Sequence, residues 1–164
     1  MKKMILAALL ATLVPAAAHA ATLNFPSDQP AASITIPDDW KPEETESGIQ
    51  AESPDGAIYI SIDVAEAASP EKVVSDAIDF LAEKGVTIDT ATQKESEDQL
   101  NGMTMKNLDW SGKDADGEAS IGLSFVQPTD DKLLVITYWG TKGEQEKHGE
   151  ALMSIIASLK PAAQ

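Results

Sequence analysis

The chain has 164 residues, with 12 basic against 27 acidic side chains, a formal net charge of −15 and no cysteine. Without cysteine there is no disulfide framework, no thiolate nucleophile and no cysteine-ligated zinc or iron–sulfur site. Every basic residue is a lysine, so arginine's two-pronged grip on phosphate is missing, and a field this negative repels nucleic acid and anionic surfaces.

The first twenty residues read as a signal peptide. Lys2 and Lys3 form the charged region, residues 4–14 the apolar region, and Ala18-His19-Ala20 the small-residue cleavage site. The apolar run is too short to cross a bilayer, which takes about 20 residues. Cleavage after Ala20 predicts an exported protein, most simply periplasmic. No cysteine follows to carry a lipid, so no membrane anchor is expected. Losing Lys2 and Lys3 leaves ten lysines against 27 acids. A charge balance of this kind suits a solvating surface, a partner with a basic surface, or divalent cations.

Residues 21–32 are proline-punctuated and predict an extended arm leading into a single domain over 33–161. Ser33-Ile34-Thr35-Ile36-Pro37 predicts a strand with both isoleucines on one face, and Asp38-Asp39-Trp40-Lys41-Pro42 a turn. Residues 48–53 and 57–64 predict a hairpin turning at Ser53-Pro54-Asp55-Gly56. Its second arm alternates, with Ile58, Ile60, Ile62 and Val64 facing one way and Tyr59, Ser61 and Asp63 the other.

A helix follows, capped by Ser69 with Pro70 in its first turn. Its predicted apolar stripe is Val74, Ile78 and Leu81, widened by Val73, Ala77 and Phe80, and Gly85 ends it with Val86 closing on Leu81. A meander comes next. Its strands lie near 87–99, 103–112, 118–127 and 133–139, and it turns at Asn101-Gly102, at residues 113–117 and at residues 128–131. The last strand, apolar on both faces, predicts a central position. Leu152, Ile155, Ile156 and Leu159 mark a final helix stopped by Pro161. The order predicts an α+β fold, a largely antiparallel sheet with two long helices packed on it.

On ITIPDDW, SPDGAIYISI, NGMTMKNLDWSG, KLLVITYWG and KHGEALMSIIASLKP, the sequence resembles the PsbP/DcrB superfamily, whose fold is shared with Mog-type Ran-binding proteins. The resemblance implies an αβα sandwich and non-enzymatic accessory or interaction roles. Lipoprotein-type members carry an anchoring cysteine that is missing here.

His148 is the one histidine left beyond the leader. Thr141 and Glu144 have capping-box spacing, which predicts His148 in the second turn of the last helix, beside Glu144 and packing its ring on a neighbour such as Trp139. The alternative is a small hydrolase with His148 as base, but no G-x-S-x-G elbow accompanies it. Trp40, Trp110 and Trp139 stand at strand ends and turns, where indoles frame binding rims. With His148 they are the candidate partner-binding residues, Trp139 leaning toward the core. Asp114, Asp116, Asp130 and Asp131 are the candidate metal ligands. The first pair resembles part of a calcium loop, but Gly112 and Leu123 occupy its anchor positions. A weak calcium site is the one metal reading these turns allow, and no other cofactor is expected. Met103 and Met105 share a strand face and read as core filler ahead of a copper(I) pair. The expected role is a non-catalytic accessory protein that binds another envelope protein.

Overall fold

The structure, a computed structural model, describes residues 19–67 and 70–162. The predicted leader up to residue 18 and the predicted cap at Ser69 lie outside the described residues.

Among the described residues, ten strands and two α-helices follow in the order β1 (Ala20–Phe25), β2 (Ala32–Pro37), β3 (Glu43–Glu44), β4 (Gly48–Glu52), β5 (Ile58–Glu66), α1 (Pro70–Glu83), β6 (Thr87–Leu100), β7 (Met103–Lys113), β8 (Glu118–Val126), β9 (Lys132–Thr141), α2 (Gly149–Ala157) and β10 (Lys160–Pro161). Seven strands form one sheet in the order β3-β4-β5-β9-β8-β7-β6, and β1-β2-β10 form a second. All pairings are antiparallel. The fold is α+β. β9, apolar on both faces, takes the central place its sequence predicts.

The period-two pattern of β5 divides the large sheet's two faces. Ile58, Ile60 and Ile62 join Leu134 and Ile136 of β9 in a core closed by Ile34 and Ile36 of β2 and by Leu152, Ile155, Ile156 and Leu159. On the opposite face α1 packs Ala77 and Leu81 against Trp110, Ile121, Leu123 and Val135. Each helix thus covers one face of the sheet, and each fully buried Leu or Ile contributes roughly 1.5–3 kcal/mol of transfer free energy.

The arm predicted over 21–32 is a paired strand. Ala20–Phe25 runs antiparallel to β2, and Phe25 is buried. Its alternation sends only every second side chain inward, so a six-residue strand offers too few apolar positions to stand out from an extended tail. Pro161, expected to stop the last helix, instead pairs with Ala32. The last helix is also shorter than predicted, because residues 145–147 form a 3-10 turn before α2 begins at Gly149.

Two glycines have defined roles. Gly85 adopts φ +80 and lets the amide of Val86 reach the carbonyl of Leu81 at 2.9 Å, the predicted end of α1. Gly122 lies beneath Tyr138, and a Cβ there would fall 2.1 Å from the phenol ring.

Candidate functional site

The face of the large sheet that meets α1 changes character across its width. β7 and β8 present Leu108, Trp110, Ile121, Leu123 and Phe125, which α1 and its flanks cover. β5 presents Tyr59, Ser61 and Asp63, and β4 presents Gln50. α1 is a single helix of 14 residues, about 10 Å across with its side chains, too narrow for seven strands spaced about 4.8 Å apart. It sits on the apolar half and leaves the polar half open. The result is a cleft of about 420 Å³ between the Val73, Ala77 and Phe80 side of α1 and strands β4, β5 and β9.

One wall of the cleft is aromatic. Tyr59 and Trp139 are register partners across β5 and β9 and stack with centroids 4.2 Å apart. Phe80 of α1 lies 6.0 Å from Tyr59 and 6.4 Å from Trp139. Burial and the charge of Asp63 push the Tyr59 phenol up to about 12, so it stays protonated at neutral pH and donates to Gln50 Oε1 at 2.9 Å.

The floor is polar. Ser61 and Thr137 pair across β5 and β9 and are 4% and 2% exposed. Asp63 accepts hydrogen bonds from the Ser47 hydroxyl at 2.6 Å and the Ser61 hydroxyl at 3.3 Å. An apolar wall with a few convergent polar groups is the usual composition of a binding cleft. A wider concavity of about 630 Å³ beside Tyr138 and Asp109 is different. Its polar groups bond to one another, Tyr138 to Asp109, Trp110 to Gln93, and the Ser111 amide to Thr92.

Of the predicted rim residues, Trp139 backs the aromatic wall of the cleft through its stack on Tyr59 and does not itself line the cleft. It is half-buried in the aromatic wall, where the sequence leans toward the core. Trp40 and Trp110 are 2% and 6% exposed, and Trp110 edges the concavity beside Tyr138.

His148 also lies elsewhere. It is the residue just before α2, and its Nε2 meets the carboxylate of Asp55 at 2.9 Å. Its ring packs edge-on against Trp40 at 6.1 Å, so the expected contacts with Glu144 and Trp139 are replaced. The capping box fails because the Thr141 hydroxyl donates to Asp114 Oδ2, and Glu144 pairs with Lys147.

Ser53, Asp55 and His148 form a cluster, but in the wrong order for nucleophilic catalysis. Asp55 stands between the other two, accepting from Ser53 at 2.9 Å and meeting His148. A triad needs the imidazole between hydroxyl and carboxylate so that it takes the hydroxyl proton. Ser53 is 4% exposed and its oxygen already accepts the Ile58 amide. The cluster ties the β4–β5 turn to the head of α2. Hydrogen bonds from His148, the Ala57 amide and Ser53 hold the Asp55 carboxyl well below the usual carboxylate range.

The four aspartates proposed as metal ligands fall in two turns at opposite ends of β8. A strand of nine residues separates its ends by roughly 27 Å, so the turns cannot share an ion. Asp114 Oδ1 accepts the amides of Asp116 and Gly117 and shapes the turn. Asp131 accepts from the Thr129 hydroxyl. Among the described residues, no group of three or more His, Asp or Glu side chains has metal-binding geometry. Met103 is buried and Met105 packs against the same core.

No protein-family model matches the sequence, and no curated protein matches it. Solved structures do. The chain superimposes on the cyanobacterial PsbP (CyanoP) of Synechocystis sp. PCC 6803 with a TM-score of 0.61 at 9% identity, over 93% of this chain and 99% of that one.

The chain has the PsbP fold.

LpqN, a protein involved in cell envelope biogenesis of Mycobacterium tuberculosis, matches with a TM-score of 0.53 at 16% identity, over 88% of this chain and 91% of that one. Identities this low establish a shared fold and leave the surface of each protein its own. Within the PsbP fold, the residues that form the cleft wall and floor, Tyr59, Ser61, Asp63, Phe80 and Thr137, are those that sequence reasoning passed over. For Tyr59, Ser61 and Asp63 the signal is the second, polar phase of β5's alternation. Among the described residues, no helix is long and apolar enough to cross a membrane.

Proposed function

We propose that this protein is an exported envelope accessory protein that binds another envelope protein through the α1-side cleft and performs no catalysis. The observation that carries the reading is the cleft itself: a stacked aromatic wall, a hydroxyl-bearing floor and a volume suited to the side chains of one bound segment. The fold supports it, since one solved relative in fold, LpqN, is involved in cell envelope biogenesis. The arrangement around His148 supports it too, because Asp55 occupies the position an active imidazole would need. The amino-terminal Lys-Lys, apolar run and Ala-His-Ala support export.

Two measurements test this. Fractionation with amino-terminal sequencing of the cell-derived protein is expected to find it in the periplasm beginning at Ala21. Capture from envelope extract is expected to yield a saturable protein partner that Phe80→Ala reduces and Met153→Ala, at an exposed site on α2, leaves unchanged. Cytoplasmic retention, or capture indifferent to Phe80, contradicts the reading.

A further inference from the structure

We infer that the cleft's ligand is a basic side chain, a lysine or arginine presented by an extended segment of the partner protein. The inference rests on the proposed binding role of the cleft and adds the chemistry of what enters it.

The first observation is a carboxylate held in place without a cation. Asp63 sits on the cleft floor, oriented by the hydroxyls of Ser47 and Ser61. Among the described residues it makes no ion pair, and no lysine or histidine lines the cleft. The only other acid lining it, Asp76, is paired along α1 with Lys72. A half-buried carboxylate supplied with fixed hydroxyl donors is ready for a charge-assisted bond with no reorganisation of the site.

The second observation is independent of charge count. The aromatic wall already holds a cation on its outer side: Lys84 Nζ lies 5.3 Å from the Phe80 centroid and 5.9 Å from that of Tyr59. Aromatic faces attract cations most when water is excluded. Tyr59 and Phe80 line the cleft together with Asp63, so a basic side chain entering there meets apolar surface along its methylene stem, at Val73, Ala77 and Val135, and the carboxylate at its charged end.

The third observation is a hydroxyl left for the ligand. Thr137 is 2% exposed and lines the floor, yet among the described residues its side chain takes part in no hydrogen bond and is not sealed from the cleft. A hydroxyl open to the cleft accepts from an ammonium or guanidinium donor in place of water. The excess of acids over the whole chain, 27 against 12, steers such a segment toward the surface.

The test uses three blocked tripeptides, acetyl-Val-Lys-Val-amide and its norleucine and glutamate counterparts, titrated into the isotopically labelled mature protein and followed by amide chemical shifts. The lysine peptide is expected to shift residues 59–63, 137 and 139. The glutamate peptide is expected to shift none of them, and the norleucine peptide to bind at least fivefold more weakly than lysine. Asp63→Asn, which keeps the shape, accepts from the Ser47 hydroxyl through its oxygen and donates to the Ser61 hydroxyl through its amide, is expected to weaken the lysine peptide about tenfold with unchanged thermal stability. Lysine-peptide shifts spread over the acidic surface, norleucine binding as well as lysine, or lysine binding indifferent to Asp63→Asn each overturn the inference. Its failure is distinguishable from failure of the binding role. Partner capture that Phe80→Ala abolishes and Asp63→Asn leaves intact removes the basic ligand and keeps the cleft as the docking site.

Discussion

Tyr59 and Trp139 face each other across the β5–β9 ladder with ring centroids 4.2 Å apart and planes 23° from parallel. The stack stiffens the aromatic wall of the cleft and places an intrinsic fluorophore behind it. Offset aromatic pairs add about 0.5–1.5 kcal/mol beyond the area they bury. Tyr59→Leu keeps most of the apolar area and removes the stack, so it is expected to cost about 1–2 kcal/mol in denaturant unfolding. It is also expected to red-shift Trp139 emission. Unchanged emission contradicts the stacked arrangement.

The Asp55–His148 contact makes stability depend on pH in a defined direction. The Asp55 carboxyl is held below its ordinary value by His148 and two further hydrogen bonds. A lowered carboxylate pKa contributes stability that is present above the unfolded value, about 3.9, and is lost as pH falls through the folded value. Asp55→Asn is therefore expected to lower Tm at pH 7, with the gap to wild type narrowing below about pH 4. Combining it with His148→Ala is expected to be less than additive, since both changes break the same link. Independent, additive losses contradict the link.

Gly122 and Tyr138 give a steric prediction. A Cβ at residue 122 meets the Tyr138 ring at 2.1 Å, and the ring is held by its hydroxyl donating to Asp109 at 3.1 Å. Gly122→Ala is expected to displace the ring, break that bond and cost about 1–3 kcal/mol, the usual range for overpacking. Tyr138→Leu is expected to recover part of the loss in the double variant. Gly122→Ala without effect on unfolding contradicts the packing.

The large strands and α1 were legible in the sequence because each carries both a period and punctuation. Ile58, Ile60 and Ile62 alternate, Asn101-Gly102 turns the chain, and Gly85 stops α1. The apolar stripe of α1 was misjudged at one position. Ile78 is 38% exposed while Ala77 and Leu81 are buried, since periodicity fixes a stripe only to within about one residue. β1 escaped because six alternating residues offer too few apolar positions, and β10 because its partner, β2, is distant along the chain, so their pairing leaves no local pattern. The tryptophans were ambiguous for a different reason. Indole is as common in cores as on binding surfaces, and Trp40 and Trp110 are buried. The cleft was present in the sequence as Tyr59, Ser61 and Asp63, but its existence depends on how far one helix reaches across a seven-stranded sheet, which is a tertiary fact.

The acidic turns give a prediction about metal. Asp114 spends one oxygen on the amides of Asp116 and Gly117 and the other on Thr141, and Asp130 and Asp131 lie at the far end of β8. Millimolar calcium is expected to leave Tm unchanged in wild type and in Asp116→Ala alike. Ligand binding to the native state raises stability by mass action, so a calcium-induced rise abolished by Asp116→Ala contradicts this account.

The most direct test of the central claim, that the cleft is a protein-docking site, is photo-crosslinking in intact cells. A photoreactive amino acid replaces Phe80 at the cleft wall in one variant and Met153 on α2 in another. A discrete adduct from position 80, absent from position 153 and diminished by Asp63→Asn in the same chain, is the predicted result. Adducts of equal yield from both positions, or none from position 80 in a folded and exported protein, contradict it.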